Sequence, residues 1–354
     1  MKVAIIILGN SWVCPYVNIY KRMFDKAGCG CDIILWDRDG SDAGAANAFR
    51  SGAAAPLNPF SKAVGYLRYA RFIKKTVIAK GYDRLVVSGP HLAILLSSFL
   101  RKRYAGKYIL DYRDIAVEQH PLLRGRYSKA LAASYCNVIS SPGFKEFLPA
   151  GKHYFLSHNF SYEAALASLS AANPPFSSRF PVKILTIGSI RNFSSNVRLL
   201  DSLGNNSRYA MQFTGRGEAA TELQEYAVSH SIANASFSGF YNKADEASIV
   251  AGCTFINILF PFDKQHSPIM SNRFYLALIY KKPVIVTAGS TQAGYVREFG
   301  LGIVVDDTRN LDRQLSGFLS GFNYSVFCAR CNELLARFTG DHRSLERTVA
   351  GFLE

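Results

Sequence analysis

Three places in the second half of the chain combine a glycine turn with groups able to hold negative charge. They are Ile187-Gly188-Ser189-Ile190-Arg191, Phe213-Thr214-Gly215-Arg216-Gly217-Glu218 and Phe237-Ser238-Gly239-Phe240-Tyr241. In each, a strand-like run enters a glycine turn and then a helical pattern, so the free N–H groups of a helix start lie next to bare backbone. Glycine after a strand is ordinary turn chemistry. Three such turns, with Arg191 and Arg216 among them, point to a phosphorylated nucleotide. Further along, Ser271 and Asn272 head an apolar helix that continues through Arg273 and closes in Lys281-Lys282-Pro283. That start is either a plain cap or a second set of N–H donors for phosphate. In the first half, Asp114 and His120 follow a strand, and a carboxylate or imidazole there can orient or deprotonate an attacking hydroxyl. An Arg113–Asp114 surface pair is the competing account of the same residues. Gly9 and Asn10 form a short loop after the first strand.

These residues need strand ends to position them. The first half alternates β-branched runs (Val3–Leu8, Asp32–Trp36, Arg84–Ser88, Lys107–Asp111, Val138–Ser140, Tyr154–Leu156) with helical patterns near 15–28, 60–80, 91–103 and 122–134. Such alternation predicts an α/β domain with a doubly wound parallel sheet. Gly40–Asn58 reads as a loop, and His158–Pro181, small, polar and proline-bearing, as an interdomain linker. A second series follows, with strands at Lys183–Ile187, Tyr209–Thr214, Ser236–Ser238, Phe255–Ile258, Pro283–Thr287 and Gly302–Val305, and helices at 308–320, 323–338 and 342–353. The organisation expected is a first domain over 1–160, a linker over 161–181, a second domain over 182–335 and a closing helix over 336–354. Ligands of such sheets sit beyond the carboxyl ends of the strands, in the crevice between the two domains.

Composition narrows the function classes. With 354 residues, 49% of them apolar and 19% charged, the chain is a packed globular protein of two-domain size. No run approaches the roughly 18–20 apolar residues that span a bilayer, and the apolar start reads as a buried strand rather than a signal. Seven cysteines form no paired framework, and the lone Cys328-x-x-Cys331 reads as two small core residues. The net charge of +15 is uneven: residues 1–170 hold 23 Lys+Arg against 11 Asp+Glu (+12), residues 171–354 hold 18 against 15 (+3). On helix 60–80, Tyr66, Ala70, Ile73 and Val77 make a core stripe. Arg68, Arg71, Lys74 and Lys75 share the other face, with Leu67, Phe72 and Ile78 at its margins. That face is either simply solvated or rests on an anionic membrane surface. A nucleic-acid partner fits the charge but has no binding motif to support it, and Gly9-Asn-Ser-Trp-Val is not a dinucleotide fingerprint.

The stretch Asn272-Arg273-Phe274-Tyr275, followed by Lys282-Pro283-Val284-Ile285, resembles the signature of the retaining GT-B glycosyltransferases of the capsule, O-antigen and exopolysaccharide type. The flanks Val182–Gly188, Phe213–Gly217, Ser238–Tyr241 and Gly300–Asp306 are similar to the same family, so the resemblance runs over about residues 182–307. Before that, Ile109–Asp114 and Ser157–Asn159 resemble weaker family features. The resemblance implies two Rossmann-like domains facing a crevice, with the closing helix returning to the first. It implies transfer of a sugar from a nucleotide-sugar donor to a glycan or lipid-linked acceptor in cell-surface polysaccharide synthesis. The protein would be cytoplasmic and peripheral at the inner face of a bacterial membrane, with no metal or other cofactor. Gly188, Arg191, Gly215, Arg216, Tyr241, Ser271, Asn272 and Arg273 would bind the donor, with Asp114, His120, Gly9 and Asn10 on the acceptor side. The chain departs from the family at its paired glutamates, where Pro268 and Leu276 stand; Asp263, Gln265 and His266 lie close to the first position, and Glu218 is a candidate for the ribose contact. A non-catalytic sugar-nucleotide or glycan-binding subunit of the same fold is the alternative that this departure favours.

Overall fold

The structure, a computed structural model, describes all residues except Trp12, Val13, Pro15, Ala43, residues 51–58, Phe262 and Lys264. The chain divides into two compact units, Met1–His158 together with Asp341–Glu354, and Asn159–Gly340.

In the first unit the strands are β1 (Val3–Ile6), β2 (Cys31–Asp37), β3 (Ala48–Arg50), β4 (Arg84–Ser88), β5 (Tyr108–Tyr112), β6 (Cys136–Ile139) and β7 (Tyr154–Leu156). Among the described residues they form one parallel sheet in the order β3-β2-β1-β4-β5-β6-β7. Helices α1 (Val17–Lys26), α2 (Pro59–Lys80), α3 (Pro90–Arg103) and α4 (Pro121–Ala132) connect them. The strands read as apolar runs because both faces are covered: Val3, Ile5, Val86, Ile109 and Val138 lie in one buried cluster, while Ala4, Ile6, Leu85 and Val87 are equally buried. α3 starts at Pro90 and ends in Arg101, Lys102 and Arg103, cations that suit the negative end of a helix.

The second unit begins with α5 (Tyr162–Ser170). It continues through β8 (Val182–Ser189), α6 (Phe193–Leu203), β9 (Tyr209–Arg216), α7 (Ala220–Ser229), β10 (Ala235–Gly239), α8 (Glu246–Ala251), β11 (Phe255–Ile258), α9 (Asn272–Ile279), β12 (Val284–Thr287), α10 (Thr291–Phe299), β13 (Gly302–Val305) and α11 (Leu311–Ser320) to α12 (Tyr324–Phe352), whose residues from Asp341 on belong to the first unit. Its described strands form a parallel sheet in the order β10-β9-β8-β11-β12-β13. Leu185, Ile187, Ile256 and Val286 enter one core cluster, and Val182, Ile184, Phe255 and Ile285 the other. In both sheets the order reverses beside the first strand, which opens a place for ligand at the carboxyl edge.

Three elements depart from the sequence reading. Ala48–Arg50, read as loop, pairs with Leu35–Asp37 and sets Phe49 against Trp36 at 5.5 Å; three residues are too few to show a period. The rest of that loop, 51–58, lies outside the described residues. The stretch read as a linker carries α5, whose Glu, Ala and Leu residues are good helix formers. Its Ser161 cap accepts the Ala164 N–H, and its Ala165 is buried. Lastly, α12 runs unbroken through Gly340, where two helices were expected. A mid-helix glycine costs about 1 kcal/mol, and burial of Leu334, Leu335 and Phe338 before it and of Leu345, Val349 and Phe352 after it outweighs that cost. Cys328 and Cys331 sit fully buried on this helix, their thiols pushed up by burial.

Candidate functional site

The carboxyl ends of β8 and β9 run side by side, Gly188 opposite Gly215 and Ser189 opposite Arg216. Gly215 has φ +137°, and a Cβ on it would stand 1.9 Å from the Gly188 carbonyl oxygen. Here glycine is required by the approach of one backbone to the other. Gly188 has φ +89°, and the nearest atom to a Cβ built on it is the Tyr241 hydroxyl at 4.0 Å, so its bare backbone faces open space beneath a phenol. Gly215→Ala should therefore cost roughly 3 kcal/mol through overpacking and strain. Calorimetric unfolding of the variant checks this; an unchanged transition would contradict the packing argument.

The turn is held from below by polar groups inside the unit. Arg273, the second residue of α9, is directed inward: its Nε–H donates to the Ile187 carbonyl at 2.6 Å, Nη1 to Asn257 O at 3.3 Å and Nη2 to Ser189 O at 2.7 Å. Burial pushes this guanidinium down to about 10, which leaves it charged at neutral pH. Beside it, the fully buried Asn257 donates to Thr186 Oγ1 at 2.9 Å and to Asn196 Oδ1 at 3.2 Å. Asn196 in turn donates to the carbonyl oxygens of Arg191 and Asn192. One chain of hydrogen bonds thus fixes Ile187 to Asn192.

What this frame presents outward is cationic and aromatic. Arg191 is exposed, with its Nε–H donating to Ser189 Oγ at 3.0 Å. Arg216 lies over the exposed Phe240 ring at 4.8 Å. Tyr241 donates to Glu246 Oε2 at 3.3 Å, and Lys243 pairs with the other carboxylate oxygen. Burial first, then Glu246, pushes the Tyr241 phenol up to about 12, so it remains a donor. At the start of α9, Ser271 Oγ caps the Arg273 N–H, and the Ser271 N–H donates to Gln292 Oε1. These bonds commit two of the N–H groups expected to face a phosphate. Asn272 is exposed, and its Oδ1 accepts from Asn159. Glu218 is exposed in the turn after β9.

Between β11 and α9, His266 Nδ1–H donates to the Asp263 carboxylate at 2.8 Å, and the N–H groups of Gln265 and His266 donate to the same carboxylate. Burial raises Asp263, but these bonds hold it below the usual range. The pair lines a cavity of about 330 Å³ with Phe260, Ser267, Thr287 and Ser290. A cavity of about 510 Å³ lined by Val228, Ile232 and Phe237 has no charged side chain. Among the described residues no three His, Cys, Asp or Glu side chains could hold a metal ion.

The acceptor-side candidates belong to the first unit. The buried Asn10 donates to Asp37 Oδ1 and Asp39 Oδ1 at 2.8 Å and to Ser41 Oγ at 3.0 Å, so its amide ties the β1 loop to the turn after β2. Gly9 beside it is half-buried. Arg113 pairs with the fully buried Asp111, Nε to Oδ1 at 2.8 Å, and also donates to Ser157 Oγ, an inner pair that the sequence reading did not name. Burial works against the Arg113 charge, but Asp111 holds its guanidinium above the ordinary value. Asp114 is exposed. His120 is exposed and caps α4, its Nδ1 accepting the Leu122 N–H at 3.4 Å. A buried carboxylate that the sequence reading missed, Glu118, accepts from Tyr112 at 2.6 Å and from the Ala116 N–H.

No family model and no curated protein matches this chain. Solved structures do. A sucrose-phosphate synthase from Thermosynechococcus elongatus superposes with a TM-score of 0.71 at 13% identity, over 98% of each chain. The lipopolysaccharide outer core galactosyltransferase WaaB gives 0.65 at 12%, over 98% of this chain and 99% of that one. HepE of Anabaena in complex with UDP-glucose gives 0.66 at 14%, over 100% and 99%. At such identities the likeness establishes the fold, which is the GT-B fold of glycosyltransferases.

Proposed function

We propose that this protein transfers a sugar from a nucleoside-diphosphate donor to a hydroxyl of a glycan or lipid-linked glycan, in cell-surface polysaccharide synthesis at the inner face of the cell membrane. One observation carries the reading: on a GT-B fold, an open glycine backbone lies beneath Tyr241, with exposed Arg191 on the adjoining turn and the start of α9 bound to that turn through Arg273. The UDP-glucose complex of HepE supports a donor of this class.

In this account Arg191 and the positive end of α9, with Asn272, take the diphosphate. Gly215, Arg216 and Tyr241 bound the base, and Gly188 lets the nucleotide approach the chain. Ser271 and Arg273 serve the donor by holding the helix start and the turn in place. During transfer the acceptor oxygen bonds to the anomeric carbon while the bond from that carbon to the diphosphate oxygen breaks. The leaving oxygen keeps the electron pair, and fixed cations and dipoles stabilise its charge without a metal. The acceptor proton passes to a base; Asp114 and His120 are the candidates, with Gly9 and Asn10 assigned to the acceptor side as well. The family resemblance implies a retaining course.

A panel of UDP-, GDP- and dTDP-sugars tests the reading by thermal shift, with and without a chelator. At a hundredfold excess over its Kd the right donor adds about 2.7 kcal/mol of stability, and the chelator should leave that shift unchanged. No shift with any donor would remove the nucleotide site, and a shift lost on chelation would remove the metal-free account. A second reading, a non-catalytic binding subunit, is favoured by Pro268 and Leu276 standing where relatives carry glutamates. Donor binding with no release of nucleoside diphosphate would select it.

A further inference from the structure

We propose that the solvent face of α2 docks this protein on an anionic lipid bilayer, with Phe60, Leu67 and Ile78 entering the headgroup region and Arg68, Arg71, Lys74 and Lys75 meeting lipid phosphates. This deepens the membrane location proposed above by naming the surface, and it uses none of the donor site.

The helix is fixed on its inner side. Tyr69, Ile73 and Val77 are fully buried, and the Tyr69 hydroxyl donates to Ile7 O at 2.6 Å. A helix anchored in this way normally turns polar residues to water. This one turns large apolar residues there as well: Phe60 is 79% exposed, and Leu67 and Ile78 are each 52% exposed. At about 100° per residue, Phe60, Leu67, Arg71 and Ile78 fall within about 40° of one another, on the side away from Ile73, and the row is about 27 Å long. Phe72, a margin residue in the sequence reading, instead packs half-buried against Phe49 at 5.5 Å, and Phe60 joins the row.

Single exposed apolar residues are ordinary. Three in line, flanked by cations on a helix with no acidic residue, match the pattern of a helix lying in a membrane interface. Charge complementarity selects the occupant: residues 1–170 carry +12 (23 Lys+Arg less 11 Asp+Glu), and an anionic bilayer rewards both the cations and the apolar row. A nucleic acid would reward only the cations, and a second copy of this basic face would be repelled.

The test is co-sedimentation of the whole protein with vesicles of phosphatidylglycerol and phosphatidylcholine, against phosphatidylcholine alone. Wild type should bind the anionic vesicles and lose affinity as salt rises. The double variant Leu67→Glu, Ile78→Glu should bind at least about tenfold more weakly, and the triple variant Arg68→Glu, Arg71→Glu, Lys75→Glu should lose the preference for phosphatidylglycerol. Both should keep the wild-type melting temperature and donor shift. Wild type that stays in the supernatant overturns the proposal and leaves the donor site standing. So does a double variant that binds vesicles like wild type, one that instead halves the solution mass (a dimer face), or wild-type binding to heparin that matches vesicle binding and ignores the apolar pair.

Discussion

Replacing Arg273 by methionine should lower the stability of the second unit by roughly 3 kcal/mol and abolish nucleotide binding together with it. The guanidinium donates to the carbonyl oxygens of Ile187, Ser189 and Asn257, and methionine fills similar space but satisfies none of them. A buried acceptor left without a donor costs about 1–3 kcal/mol; removing the desolvated charge offsets part of the sum. For a unit of this size each kcal/mol lowers the melting temperature by roughly 2–4 °C, so a fall on the order of 10 °C is expected in scanning calorimetry. Arg273→Lys keeps a charge but offers a single point of donation in place of a planar fork, and should recover only part of the loss in both readouts. A methionine variant that melts and binds like wild type would show that the β8 turn does not depend on this residue.

Arg191→Ala should behave in the opposite way. Arg191 is exposed, with Ser189 Oγ as its described side-chain partner, so its loss should leave the melting temperature of the free protein nearly unchanged. If it holds the donor diphosphate, the lost charge-assisted hydrogen bonds are worth roughly 1.5–3 kcal/mol, and nucleoside diphosphate should bind about ten- to a hundredfold more weakly. Titration calorimetry of wild type and variant reads this directly. Equal affinity in a folded Arg191→Ala variant takes the residue out of the site. The contrast would separate the two arginines, Arg191 assigned to the ligand by the proposal and Arg273 to the backbone of the β8 turn.

The fold was legible because its strands are buried on both faces. Arg84–Ser88 and Phe255–Ile258 stand where the apolar runs place them, since a parallel strand shows its burial in nearly every residue. β3 and α5 were not legible: the first is too short for any period, and the second lies in a stretch whose serines, asparagines and prolines look like a connector. In the site, the glycines at 188 and 215 announced themselves because turn chemistry is local. The inward direction of Arg273 did not, since a side chain at a helix start can turn either way and only packing decides. Asn257, a polar residue inside the apolar strand Phe255–Ile258, was the available signal for the buried network beneath the turn. Glu246 gave none, because a carboxylate after Lys243 and Asp245 reads as a solvated face until Tyr241 is seen against it.

A crystal structure of the whole protein with a nucleoside diphosphate bound tests the central claim most directly. The account predicts the diphosphate against Arg191 and the start of α9, the nucleotide passing over the Gly188 backbone, and the base beside Arg216 and Tyr241. A nucleotide bound elsewhere on the chain, with Gly188 and Arg191 untouched, would contradict it.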